Sequence, residues 1–309
     1  MTNRRPSNAN PYRRQQTQVI LLLLPFLVLL ALFTYVPLFG WSYAFVKYVP
    51  GKSVFNSNFV GLKYFRLIFT DYGENFLLVL RNTFVLSGMN ILSTVFPVLL
   101  AILITLLRNR HYSKICQTIV SSPDFISWVL VYSVIFLVIA SDTSAYNTIT
   151  LRLGLASSST NILSLTKPAW IVQICIYLWK NMGYNSIIYL SAISSIDQEL
   201  YEAADIDGAN RFQKVVHVMI PGLSSTYVVM LMLAICNMLS NGFEQYWLFG
   251  NGMTLDKLEV FDTYVYRVGI VNGLYSLSTA FGIFKTLVSV LILTLANQGS
   301  KLLRGETIF

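Results

Sequence analysis

Charge is what this sequence has least of. Only 12% of its 309 residues are Asp, Glu, Lys or Arg, against 55% hydrophobic, and the mean hydropathy is +0.59. A soluble domain carries about twice that share of charge, so the composition excludes one and implies a polytopic membrane protein. Histidine is scarcer still. His111 and His217, a hundred residues apart, offer no histidine-based metal centre. Cys116, Cys175 and Cys236 are far apart, odd in number and form no C-x-x-C pair, so they indicate neither disulfides nor a metal. A nucleotide-binding motif is also missing. Gly51-Lys52-Ser53 is preceded by Val46, where a phosphate loop needs Gly, so any nucleotide hydrolysis must come from a partner. Gly-x-Ser-x-Gly, His-Glu-x-x-His and an acidic pair within a span do not occur either, which removes the common membrane-enzyme readings and leaves no candidate catalytic residue.

What is present is a series of apolar runs, expected as six transmembrane helices at about 19–39, 76–107, 115–140, 169–193, 224–249 and 280–296. A basic tail, residues 1–16, holds Arg4, Arg5, Arg13 and Arg14, and residues 301–309 form a second tail. The first run is long and lacks a small-residue cleavage site, so it reads as an uncleaved first span entering from the cytoplasm. The second exceeds the roughly 30 Å of a hydrocarbon core at 1.5 Å per residue, with Pro97 as the expected bend. The third is expected to break near Ser121-Ser122-Pro123-Asp124. With both termini inside, eleven Lys and Arg fall on the inner side and eight on the outer, the direction of the positive-inside rule. The net charge of +8 is scattered over loops, as suits lipid headgroups and not nucleic acid.

One stretch breaks this pattern. Five of the fourteen acidic residues, Asp197, Glu199, Glu202, Asp205 and Asp207, fall within eleven positions, and a helix over about Glu199 to Asp207 with a stop at Gly208 is expected. The segment 201-YEAADIDGANRFQKVVHVMIPGL-223 resembles the EAA loop of the integral membrane subunits of binding-protein-dependent ABC importers. That motif is Glu-Ala-Ala, three residues, Gly, nine residues, Ile, one residue, Leu-Pro. Glu202, Ala203, Ala204, Gly208 and Pro221 are in register, with Val218 and Ile220 as apolar replacements. The resemblance extends to Arg81-Asn82-Thr83, 179-WKNMGYN-185, 242-GFEQ-245 and 261-FDTYVYRVGI-270, where it points to the carbohydrate-uptake, oligosaccharide and aldouronate permease subfamily. It implies an all-α type I importer permease in a bacterial cytoplasmic membrane. It also implies a coupling loop at 197–222 whose Glu202, Ala203, Ala204, Asp207 and Gly208 engage an ATPase. The expected partners are a second, similar permease, two ATPase subunits that bind the ATP and Mg, and an extracellular lipid-anchored binding protein. No cofactor is expected on this chain.

Polar groups within spans are costly and tend to face a bundle interior or a water-filled cavity. Tyr177, Lys180, Asn181, Tyr184 and Asn185 in the fourth span, with Asn237, Asn241 and Glu244 in the fifth, therefore form the candidate substrate path, amides and aromatics suiting a sugar. The same amides also suit helix–helix contacts. Tyr264, Tyr266 and Arg267 fit either an outer docking surface or an aromatic belt. Asp124 suits a helix cap or a partner for a nearby base, and Lys285 either snorkels or pairs with Glu244. The competing function is an ion-coupled secondary transporter of a small polar solute, for which Asp124 and Glu244 are the only buried-carboxylate candidates; it leaves the EAA spacing unexplained.

Overall fold

The computed structural model describes residues 11–304, and side chains at residues 16 and 18–298. Arg4 and Arg5, and the side chains of Arg13, Arg14, Lys301 and Arg304, lie outside that description. Helix α1 (Pro11–Leu30) begins within the expected polar tail and continues through a π turn, Ala31–Tyr35, into a 3-10 stretch, Val36–Phe45. Its residues from Val19 to Phe39 are exposed along the whole length. A helix that is apolar all round and exposed over this length is one that lipid or another membrane subunit must cover.

A short antiparallel pair, β1 (Val46–Lys47) with β2 (Asn58–Phe59), precedes α2 (Lys63–Phe69). The second apolar run is two helices, α3 (Gly73–Leu92) and α4 (Val95–Thr105), broken at Ser93-Thr94. Pro97 is the cause. It has no N–H to bond the carbonyl of Ser93, so it sits in the first turn of a new helix, where that donor is dispensable. The third run divides as expected, into α5 (Arg110–Ser121), a 3-10 turn at Ser122–Phe125, and α6 (Trp128–Ile135) with a π turn to Ala140; α7 (Ala145–Arg152) follows.

Helix α8 (Ala169–Ser194) is the centre of the fold and touches α3, α4, α5 and α11. Its buried positions Gln173, Ile176, Lys180, Gly183, Ser186, Tyr189 and Ile193 recur every three or four residues, so one stripe faces inward along all 26 residues. Gly183 lets α5 approach, because a Cβ there would lie 2.0 Å from the Val120 carbonyl oxygen. Next comes α9 (Gln198–Ile206), capped by the Asp197 carboxylate, which accepts from the Glu199 N–H at 3.0 Å, and terminated by Gly208 at φ +73°.

The next helix starts at Arg211, well ahead of the position 224 expected for the fifth span. Asn210 and Gln213 form a reciprocal capping box over α10 (Arg211–Lys214), and the chain runs on through a π turn, Val215–Met219, into α11 (Ile220–Cys236). The π turn changes the carbonyl register just before Pro221, which explains how the proline sits inside a continuous helix. The expected span also ends too late. The helix stops at Cys236, Asn237–Gly242 is irregular with Gly242 at φ +89°, and Glu244 belongs to a separate helix, α12 (Phe243–Phe249). Short helices α13 (Leu255–Leu258) and α14 (Phe261–Tyr266), with a π turn to Val271, precede α15 (Tyr275–Arg304).

Among the described residues, five helical stretches are long and apolar enough to cross a membrane: Gln18–Phe45, Gly73–Thr105, Trp128–Arg152, Arg211–Cys236 and Tyr275–Gln298. Helix α8 is long enough as well, but Gln173, Lys180, Asn181 and Asn185 keep it out of that set. Two apolar clusters hold the ends of the bundle. Phe76, Phe261, Tyr264 and Phe281 pack with Ile68 and Val79 at one, and Ala101, Tyr189, Val215 and Leu223 with Ile193 and Met219 at the other.

Gly183→Ala tests the close contact of α5 with α8. The carbonyl it would strike is backbone and cannot rotate away, so the variant should lose roughly 1–3 kcal/mol of stability, the usual cost of overpacking. Thermal unfolding in detergent reads this directly, and an unchanged midpoint would contradict the contact.

Candidate functional site

Five of the eight residues expected along a substrate path come together. Tyr177, Asn181 and Asn185 on α8 face Asn237 and Asn241 in the irregular segment after α11, around a cavity of about 270 Å³. Its third wall is α3 and its junction with α4, which contribute Ser87, Asn90 and Thr94. Those three were missed from sequence, although Asn90 inside an apolar run was a usable signal. No charged side chain lines the cavity. Serine, threonine, tyrosine and asparagine supply donors and acceptors without net charge, and Tyr177 and Tyr189 add ring faces.

Hydrogen bonds fix the walls. Asn241 Nδ2 donates to the Thr83 carbonyl at 3.2 Å, and its Oδ1 accepts from Ser87 Oγ at 2.6 Å. The Met238 carbonyl lies within hydrogen-bonding distance of the same hydroxyl, whose one proton the two acceptors share. The irregular segment is thereby held to α3 by side chains, in place of the helical bonds it lacks. Asn181 Nδ2 donates to the Tyr177 carbonyl one turn back, at 2.8 Å.

The other three candidates stand apart. Lys180 is 5% exposed and points away from the cavity; its ammonium donates to the carbonyls of Pro123, Asp124 and Ile126 at 3.1, 2.8 and 2.7 Å and lies 5.3 Å from the centre of the Trp128 ring. At the break in the third run the ammonium is a donor to the Asp124 and Ile126 carbonyls and a second donor to that of Pro123, which also accepts from the Ile126 N–H at 3.2 Å. This settles Asp124 too, which meets a base through its backbone carbonyl. Tyr184 is exposed and meets Phe125 edge-on at 6.5 Å. Glu244 is exposed in the first turn of α12, and Lys285 pairs with Asp262, not with Glu244. The sequence expectation placed Glu244 inside a span because it carried the helix on through Asn237–Gly242, where the structure ends it.

Among the docking candidates, Tyr264 is buried at 2% exposure. Burial first, and the neighbouring Glu259 carboxylate second, push its hydroxyl up to about 12, so it remains neutral. Arg267 is bound to Glu259 by two parallel hydrogen bonds of 2.6 and 2.7 Å. Tyr266 remains exposed, its ring 4.9 Å from both Phe243 and Trp247.

Helix α9 is built to be touched from outside. Glu202, Ala203, Asp205, Asp207 and Gly208 are exposed and Ala204 is half-buried. Two apolar side chains stand beside them almost bare, Ile206 at 87% and Phe212 at 75% exposure. Neither was singled out from sequence, since isolated apolar residues in an apolar chain carry no signal. On its inner side the helix is anchored by Tyr201, packed with Tyr189, Ile193, Val215 and Leu223, and burial raises the pKa of its hydroxyl. Gly222 makes room for Ile196, and the Asp205 carboxylate pairs with Lys214 across the turn. Because α9 connects α8 to α10 and α11, the exposed acidic helix is spliced between two walls of the cavity.

Residues 79–303 match the family described as the inner membrane component of binding-protein-dependent transport systems. The polygalacturonan/rhamnogalacturonan transport system permease protein YteP of Bacillus subtilis (strain 168) is 38% identical, over 96% of this chain and 91% of its own. Protein LplB of the same organism is 36% identical, over 94% and 90%. A chain of a bacterial ABC transporter involved in the import of the acidic polysaccharide alginate superposes with a TM-score of 0.85 at 31% identity, covering 94% of this chain and 97% of that one. The same likeness, 0.85 and 31%, holds for that transporter in complex with an alginate pentasaccharide-bound periplasmic protein.

Lys180→Met should remove the donor from three carbonyls and cost about 1–3 kcal/mol, the usual penalty for buried polar groups left unpaired. Thermal unfolding of the purified variant measures it. A variant as stable as the parent would return Lys180 to the list of path residues.

Proposed function

The chain belongs to the inner membrane components of binding-protein-dependent transport systems, and from that premise we propose how it moves a sugar. It is a multi-pass permease of an ABC sugar importer and not an enzyme. The substrate we assign is an oligosaccharide bearing uronate residues. That class takes its support from the relative named for polygalacturonan/rhamnogalacturonan and from the alginate importer. In this reading α8 crosses the membrane as a sixth span, both termini are cytoplasmic, and the membrane is the cytoplasmic membrane of a bacterium. A second, similar permease completes the pore. Two ATPase subunits bind ATP and Mg, and a lipid-anchored extracellular protein delivers the sugar.

The observation that carries the proposal is the connectivity of α9. Helices α8 and α11 wall an uncharged, amide-rich cavity, and the exposed helix between them ends at the bare side chain Ile206, with Phe212 also bare at the start of α10. An apolar centre within a charged rim is the anatomy of a protein interface. We assign it to a groove of the ATPase, with Glu202, Ala203, Ala204, Asp207 and Gly208 around it. When the ATPase pair closes on ATP, α9 moves with it and shifts α8 against α11. The cavity then opens alternately to either side, and neutral amides exchange hydrogen bonds with sugar hydroxyls without a charge to trap them. An ion-coupled carrier would need a carboxylate in the path, and neither Asp124 nor Glu244 lines the cavity.

Two variants test this in proteoliposomes holding both permeases, the ATPases and the binding protein. Glu202→Lys, on the exposed face of α9, should insert normally yet lose uptake and the stimulation of ATPase by loaded binding protein. Normal transport by that variant would contradict the role of α9. Asn181→Leu should lower uptake about tenfold, the loss of one or two hydrogen bonds to sugar, and unchanged uptake would remove α8 from the path.

A further inference from the structure

The cavity carries no charge, so it has no group that could tell a uronate from a neutral sugar. Charge appears just beyond it. The Trp170 ring packs on Leu86, Tyr246 and Val260, and the Tyr246 side chain lies beside Asn90 and Asn241 in the cavity wall. Two cations meet on that indole, the Lys257 ammonium at 4.4 Å and the Arg81 guanidinium at 5.9 Å from the ring centre.

The site is rigidly made. Trp170 Nε1 donates to the Lys257 carbonyl at 2.8 Å, and Arg81 Nη2 donates to the Asp256 carbonyl at 3.0 Å and to Asn82 Oδ1 at 3.1 Å. Neither cation has a carboxylate within ion-pair distance among the described residues. Glu259 is committed to Arg267, and Asp256 offers Arg81 its backbone and not its side chain. The Lys257 ammonium makes no hydrogen bond to a described residue and is half-buried. Two cations held together without an anion, at the edge of a polar path, make a receptor for one.

We propose that Lys257 and Arg81, oriented by Trp170, are specificity-determining residues that bind the carboxylate of a uronate residue as the oligosaccharide enters the cavity. Arg81 offers paired N–H donors and Lys257 a mobile point charge. The cations would act before the cavity, where release needs only a change of hydrogen bonds. This rests on the importer reading above and adds the residues that set its preference for acid sugars.

The test compares uptake of trigalacturonate with that of its methyl ester, in proteoliposomes holding the complete transporter. The parent should favour the acid. Lys257→Gln should lose that preference about tenfold, as expected for removing a hydrogen-bonded charge, with the change in KM more than in kcat, and Lys257→Arg should keep it. A preference unchanged in Lys257→Gln overturns the proposal, as does an equal loss for both sugars. Should Lys257→Gln fail to assemble, the parent decides: its KM for the acid, and not for the ester, should rise with salt, and a salt-independent KM overturns the assignment. Uptake by the parent that ignores ATP and binding protein would instead contradict the importer reading itself.

Discussion

Hydrocarbon sets the terms for this chain, because a polar group inside it must find a partner or line water. Helix α8 has several such groups, Gln173, Lys180, Asn181, Asn185 and Ser186 among them, and the bundle places each one. Lys180 goes to three carbonyls at the break after α5. The Gln173 side chain accepts from Gln245 at 2.9 Å, and Ser186 Oγ donates to the Gly183 carbonyl of its own helix. Tyr177, Asn181 and Asn185 face the cavity, Asn181 also donating to the Tyr177 carbonyl of its own helix.

The same constraint explains the breaks. Continuous helices satisfy their own backbone, so each interruption in the bundle needs an outside donor or acceptor. At the third run the donor is Lys180. At Asn237–Gly242 the partners are Ser87 and Asn241, which tie the irregular segment to α3. Such joints depend on side-chain bonds that can exchange, while the stretches between them are rigid, so relative movement of α8 and α11 has places to occur. The segment between those two helices is α9, anchored by Tyr201 on the bundle side and bare on the other.

Much of this was legible in the sequence where local rules apply. The spacing from Glu202 to Pro221 and the acids ahead of Gly208 located α9 to within a residue at each end. The low charge and the apolar runs gave the class of protein. Bounds and roles that depend on distant partners were not legible. Pro97 moved the break upstream, because a proline disturbs the bond to a residue four places before it. The interruption at Asn237–Gly242 follows a long apolar run and is bridged by side-chain bonds to Ser87 and Thr83, more than 150 positions away in sequence. Lys180 looked like a path residue since its acceptors, Pro123, Asp124 and Ile126, are more than fifty positions away. Lys285 was read against Glu244, whereas the fold brings it to Asp262.

The central claim is that movement of α9 is passed to the cavity through α8 and α11. The most direct measurement is the distance between spin labels at Ile188 on α8 and Val229 on α11, both exposed, in the assembled transporter with its native cysteines replaced. Transmission through α9 predicts that this distance changes when a non-hydrolysable ATP analogue binds, and that Glu202→Lys abolishes the change. A distance that stays fixed while the ATPase closes would contradict it.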